Sequence, residues 1–115
     1  MMNPELKKTI RTLKAASKGD GPAIWGALAE ELDKAKRRRV AVNLSKINRH
    51  SGAGGVVAVP GKVLAAGSLK HPVTVAAFSF SEKAREKIAL AGGRALTLLE
   101  LLEAGVAPSE IRIVK

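Results

Sequence analysis

The sequence predicts a mixed α/β fold: a single domain with a helical N-terminal third, followed by alternating short strands and helices. Apolar residues in the first third recur at helical spacing, as at Leu6, Ile10 and Leu13. From Val56 onward the pattern changes to short continuous apolar runs bounded by Gly and Pro. With 115 residues and 46% hydrophobic content, the chain is long enough to bury roughly two-thirds of its unfolded surface around one core. Trp25, Phe78 and Phe80 are the only aromatics, so Val, Leu, Ile and Ala must build that core. The expected organisation is one domain over 1–115, with 1–22 a peripheral basic helix and linker and 23–115 the core.

Asn3-Pro4 reads as an N-cap followed by proline at the first helical position, where its missing N–H costs nothing. Leu6, Ile10 and Leu13 form the buried stripe of this first helix, and Lys7, Lys8, Arg11 and Lys14 cover its other face. Gly19-Asp20-Gly21-Pro22 separates it from a second helix starting near Ala23. There Ile24, Leu28 and Leu32 fall at i, i+4 and i+8, with Trp25 beside them. Asn43 is positioned to cap a short third helix. Leu44 and Ile47 face inward on it, and Lys46, Asn48, Arg49 and His50 are polar.

Ser51-Gly52-Ala53-Gly54-Gly55 is a loop, and Val56–Val59 a buried strand. Pro60-Gly61 fits the central pair of a type II turn, which puts Lys62 at a fixed corner. Strand continues over Lys62–Ala65, and Val73–Phe78 is a further buried strand. A cap within Ser79–Glu82, or at Ser81 itself, opens a helix that Gly92-Gly93 closes. Arg94–Leu96 reads as a short strand. Thr97 and Glu100 match a capping box for a helix ending at Gly105, and Ile111–Ile113 forms a last strand.

The charge pattern separates this chain from an ordinary soluble domain. Between Asp33 and Glu82, 48 residues pass without a carboxylate while nine Lys or Arg accumulate, and the net charge is +10. Like charges gathered on one surface repel each other, so a polyanionic partner is the economical explanation. RNA or DNA is the first candidate. Aromatic stacking platforms are absent, which favours contacts to phosphates and to folded shape over base stacking. The first helix has no bulky aromatic anchor, so a membrane surface is not expected as partner.

Catalytic chemistry finds little support. Gly55 and Gly61-Lys62 are separated by five residues and followed by Val63, which fails a Walker A loop on spacing and on metal ligation. His50 and His71 have no acidic neighbour in sequence, as a triad or zinc site would require. Each reads as a polar loop residue, with a backbone or phosphate contact as the functional alternative. Cysteine is absent, which excludes disulfides and thiolate metal sites. The N-terminus lacks a signal-peptide pattern, and a cytoplasmic location is expected.

Residues 56–93 carry Val59-Pro60-Gly61-Lys62-Val63-Leu64, the His71–Phe80 strand, and Ser81-Glu82-Lys83-Ala84 running on to Gly92-Gly93. Upstream lie Asn3-Pro4, the Trp25 helix and the basic stretch entering Val42-Asn43-Leu44-Ser45-Lys46-Ile47. Together these closely resemble the archaeal and eukaryotic large-ribosomal-subunit protein eighteen family of the "e" type. That family shares a superfamily with bacterial large-subunit protein fifteen.

The resemblance implies the fifteen/eighteen-e type α/β fold, no enzyme activity, no cofactor and no small-molecule substrate. It further implies a ribosomal location, with large-subunit ribosomal RNA and neighbouring large-subunit proteins as partners. The candidate RNA contacts are Lys34, Lys36, Arg37, Arg38, Arg39, Lys46, Arg49, His50, Lys62 and Lys70, together with Lys7, Lys8, Arg11 and Lys14. Ala35, Ala41 and Ala65 depart from the family pattern, which commonly has proline, an acid and glycine there. Two competing readings are a free-standing nucleic-acid-binding protein or RNA chaperone, and a small enzyme with a carboxylate folded against His50 or His71.

Overall fold

The computed structural model describes residues 3–34 and 40–115. Lys36, Arg37, Arg38 and Arg39 therefore lie outside the described residues, as do Met1, Met2 and Ala35. In chain order the elements are α1 (Pro4–Ser17), α2 (Ala23–Leu32), β1 (Val40–Asn43), α3 (Leu44–Arg49), β2 (Gly55–Leu64), β3 (Val73–Phe80), α4 (Glu82–Leu90), β4 (Arg94–Thr97), α5 (Leu98–Glu103) and β5 (Ile111–Ile113). A 3₁₀ turn, Pro108–Glu110, precedes β5.

Among the described residues every strand pairing is parallel. The sheet runs β1-β2-β3-β4, and β5 also pairs with β2. Ala58 and Ala76 face one core cluster with Leu6, Ile10, Leu13, Trp25, Leu28, Ala29, Leu32, Leu98 and Leu101. Val57, Val59, Val63, Val73, Val75 and Ala77 face the other, with Leu44, Ile47, Ala84 and Ile88. Helices α1, α2 and α5 thus cover one face of the sheet, and α3 and α4 the other. Burial on both faces explains why β2 and β3 read as continuous apolar runs with little alternation.

Helix α1 begins as the sequence predicts: Asn3 Oδ1 accepts the Glu5 N–H at 2.8 Å, and Pro4 opens the first turn. Its stripe is fully inside the core, so the helix is peripheral only through its basic face. On α2 the buried face is Trp25, Leu28, Ala29 and Leu32, and Ile24 sits at its margin. Ser81, not Ser79, caps α4 by accepting the Ala84 N–H at 3.1 Å, because Ser79 is still within β3. Thr97 and Glu100 close the predicted capping box. These hydroxyl and carboxylate acceptors satisfy N–H groups that a helix start leaves unpaired.

Three features differ from the sequence reading. Strand β1 was not predicted; it lies parallel to Gly61–Leu64 of β2. Pro60-Gly61 is no turn, because β2 runs straight through it. The register against β3 shifts between Val59 and Lys62, and such a bulge tolerates proline's missing N–H. Gly61 is needed for closeness: a Cβ there would lie 2.0 Å from the Val40 carbonyl oxygen. Asn43 stands at the N-cap of α3 but makes no side-chain cap bond. Instead the Ala66 carbonyl accepts the Ser45 N–H at 3.1 Å.

Candidate nucleic-acid interface

Strands β5 and β1 follow one another along the same edge of β2, at Val56–Ala58 and Gly61–Leu64. This outer edge gathers cations from distant parts of the sequence. Ile111 and Ile113 pack towards α1 and α2, so strand alternation turns Arg112 to the opposite face. There α3 brings Lys46 and His50 against it. Lys46, His50, Arg112 and Lys115 line one groove together with Ile113 and Val114.

The groove is held from both sides. A helix of six residues is too short to be stable alone, and it is the burial of Leu44 and Ile47 that fixes α3. Burying each is worth about 1.5–3 kcal/mol. On the other wall, Val114 is buried and its N–H donates to the Ala58 carbonyl at 3.0 Å. Lys46 Nζ donates to the Lys115 carbonyl, which leaves two donors of its ammonium. Lys115 Nζ pairs with Glu31 at 2.8 Å, and Lys34 pairs with the same carboxylate at 2.9 Å. The hydrogen bond from Lys115, and then that from Lys34, holds the Glu31 carboxyl below its ordinary range.

The far flank of α3 is tied to the loop leading into β3. Asn48 Oδ1 accepts the Lys70 N–H at 2.9 Å. Ser51 Oγ lies 3.0 Å from His71 Nε2 and donates its proton to the Ile47 carbonyl. The serine therefore accepts from the imidazole, the reverse of an activated nucleophile. Arg49, His50 and Lys70 are exposed at this end, and among the described residues their side chains make no hydrogen bond or ion pair.

Lys62 is exposed but stands apart. It lies seven residues along β2 from Gly55, roughly 23 Å of strand, with Ala41 as its ladder neighbour. Its position comes from the strand, not from a turn corner. On the α1 side, Lys7, Arg11, Lys14 and Lys18 line a second groove with Ile10, Ala15 and Asp33. Lys14 reaches Asp33 at 3.4 Å. Lys8 is exposed but does not line this groove.

The sequence reading missed Arg112, Lys115 and Lys18. Alternation in Ile111-Arg112-Ile113 signals that Arg112 leaves the isoleucine face, but only the fold reveals α3 opposite it. Lys18 follows Lys14 at i+4 and was legible from helix spacing. Other cations serve the fold: Arg85 stands 5.0 Å over the Phe80 ring, and Lys87 donates to the carbonyls of Ala65 and Gly67 at 2.9 and 3.1 Å. Among the described residues no cluster of His, Asp or Glu could hold a metal ion, and no helix is long and apolar enough to cross a membrane.

These features define a small, strongly basic α/β scaffold protein whose surface chemistry is that of exposed lysine and arginine. Residues 25–96 match the family model described as "Ribosomal proteins 50S-L15, 50S-L18e, 60S-L27A", and the chain belongs to that family. It is 50% identical over 113 residues to "Large ribosomal subunit protein eL18" of Methanothermobacter thermautotrophicus, covering 98% of this chain and 93% of the relative. The protein of the same name from Sulfolobus acidocaldarius is 46% identical, covering 88% and 82% of the two chains. That from Pyrobaculum aerophilum is 42% identical, covering 97% and 92%. The expectation from residues 56–93 is met. By family the chain is a structural ribosomal component and not an enzyme.

Proposed function

We propose that the chain is a structural constituent of the large ribosomal subunit, in the cytoplasm, and binds folded ribosomal RNA through Lys and Arg contacts to phosphates and sugars. The observation that carries this is the outer edge of β2. Arg112 on β5 and Lys62 further along β2 lie on it, and Arg49 and Lys70 are exposed on the flank of α3. All four side chains are without a hydrogen bond or ion pair among the described residues; the Lys36–Arg39 run leads directly into β1. Exposed cations left unpaired repel one another, and RNA phosphates relieve that repulsion. With three aromatic residues in the chain, and Trp25 buried, base stacking has little to work with, so backbone and shape recognition carries the binding.

The relatives' names support the large subunit as its location, and neighbouring large-subunit proteins are then its other partners. Sedimentation through a sucrose gradient at moderate salt tests this. One copy per large subunit is expected; recovery at the top of the gradient, with RNA binding retained, identifies a free-standing RNA-binding protein instead.

A further inference from the structure

We propose that the groove between α3 and β5 is a preformed seat for an RNA backbone phosphate, with Arg112 and Lys46 as its charged ligands and His50 at its rim. The proposal rests on the ribosomal RNA reading and adds to it a place and two residues, Arg112 and Lys115, that basic runs do not mark. The two walls come from positions more than sixty residues apart in sequence, so the convergence is a product of the fold.

The groove is set before any ligand arrives. Val114 is buried, its N–H is bonded to Ala58, and the tail carbonyl of Lys115 is held by Lys46. Ligands fixed in advance lose less entropy on binding. Arg112 is exposed and, among the described residues, makes no ion pair or hydrogen bond. Its planar guanidinium suits a phosphate bidentately, and the two remaining N–H donors of Lys46 add a second charge. Lys115 is different: Glu31 holds it at 2.8 Å, so it closes the end of the groove and is positioning, not a primary ligand.

The chemistry favours phosphate over a peptide. Strand β5 is three residues long, too short an edge to give an added strand a useful ladder, and a charged side chain on such an edge works against strand addition. No Asp or Glu side chain lines the groove, and its apolar residues are limited to Ile113 and Val114.

Because the chain has no cysteine, a single one can be placed at will. Arg112→Cys and, as control on α4, Lys83→Cys would each be labelled with a photoreactive group and crosslinked within reconstituted large subunits. Crosslinks from position 112 to ribosomal RNA are expected; crosslinks from it to protein alone would overturn the site. In parallel, Arg112→Gln should lower the log–log salt slope for a ribosomal RNA fragment by roughly one, and Lys83→Gln should leave it unchanged. Arg112 is exposed, so thermal unfolding of Arg112→Gln should match that of the parent chain. An unchanged slope with a parent that binds RNA normally removes this site alone. Failure of the parent to bind removes the ribosomal RNA reading and the site together.

Discussion

The two sides of the sheet's long axis treat charge differently. On the side built by α4, β4 and α5, Lys83, Arg85, Lys87 and Arg94 are balanced by Glu82, Glu86, Glu100 and Glu103. Much of that charge is employed internally: Arg85 over Phe80, Lys87 on two carbonyls, Glu100 in the capping box. The outer edge formed by β1 and β5 gathers Lys46, Arg112 and Lys115, beside Lys34, with Lys62 further along β2. Glu31 and Asp33, at the end of α2, are already taken by lysines. Net charge alone would not separate these regions. What separates them is the local balance of cations against carboxylates, with Lys62 and Arg112 left without a partner among the described residues on the outer edge.

The strongest way to break the contrast is to dislodge β1. Gly61→Ala places a Cβ 2.0 Å from the Val40 carbonyl, so β1 must shift. A loss of roughly 3 kcal/mol in denaturant unfolding is expected, within the range of overpacked sites, with weakened RNA binding. On the balanced side, Thr97→Ala removes the α5 cap and should cost about 1 kcal/mol. RNA affinity, measured on the folded protein, should remain as in the parent.

A finer test uses Ala41, exposed beside Lys62 in the ladder. Ala41→Glu would place an acid in the basic block and pair it with that lysine. RNA affinity should fall a few-fold and the salt slope by roughly one. Filter binding across a salt series would reveal either outcome.

The smallest effect concerns Glu31. Its carboxyl is depressed by the Lys115 hydrogen bond and then by that of Lys34. A depressed carboxylate contributes stability above its ordinary value, here 4.5, and loses it as pH falls through the lowered value. Glu31→Gln should therefore cost under about 1 kcal/mol at neutral pH, as expected of surface ion pairs. The gap between parent and variant should close in acid below the ordinary value. A gap that widened there would contradict the assignment.

Much of the fold was legible because its signals are local. Asn3-Pro4, Ser81 and the Thr97–Glu100 box mark helix starts through bonds within a few residues. Strands β2 and β3 announce themselves by apolar runs that two covering layers require. Strand β1 was hidden: four residues beside a basic run carry too little pattern, and its pairing is decided by Gly61, eighteen residues beyond Asn43. Pro60-Gly61 misled for a related reason. The same dipeptide suits a turn or a bulge under a close neighbour, and only the position of Val40 decides. The candidate interface was legible as a basic block, whereas Arg112 and Lys115 depend on which helix covers β5.

Where the cations lie, not how many there are, should decide binding, and two variants of equal net charge test that directly. Lys46→Glu/Arg112→Glu alters the outer edge; Lys83→Glu/Arg94→Glu alters the balanced side by the same amount. Binding to large-subunit ribosomal RNA, titrated against salt, should collapse in affinity and slope for the first pair and change little for the second. Equal losses in the two pairs would show that total charge, not the β1/β5 edge, governs binding.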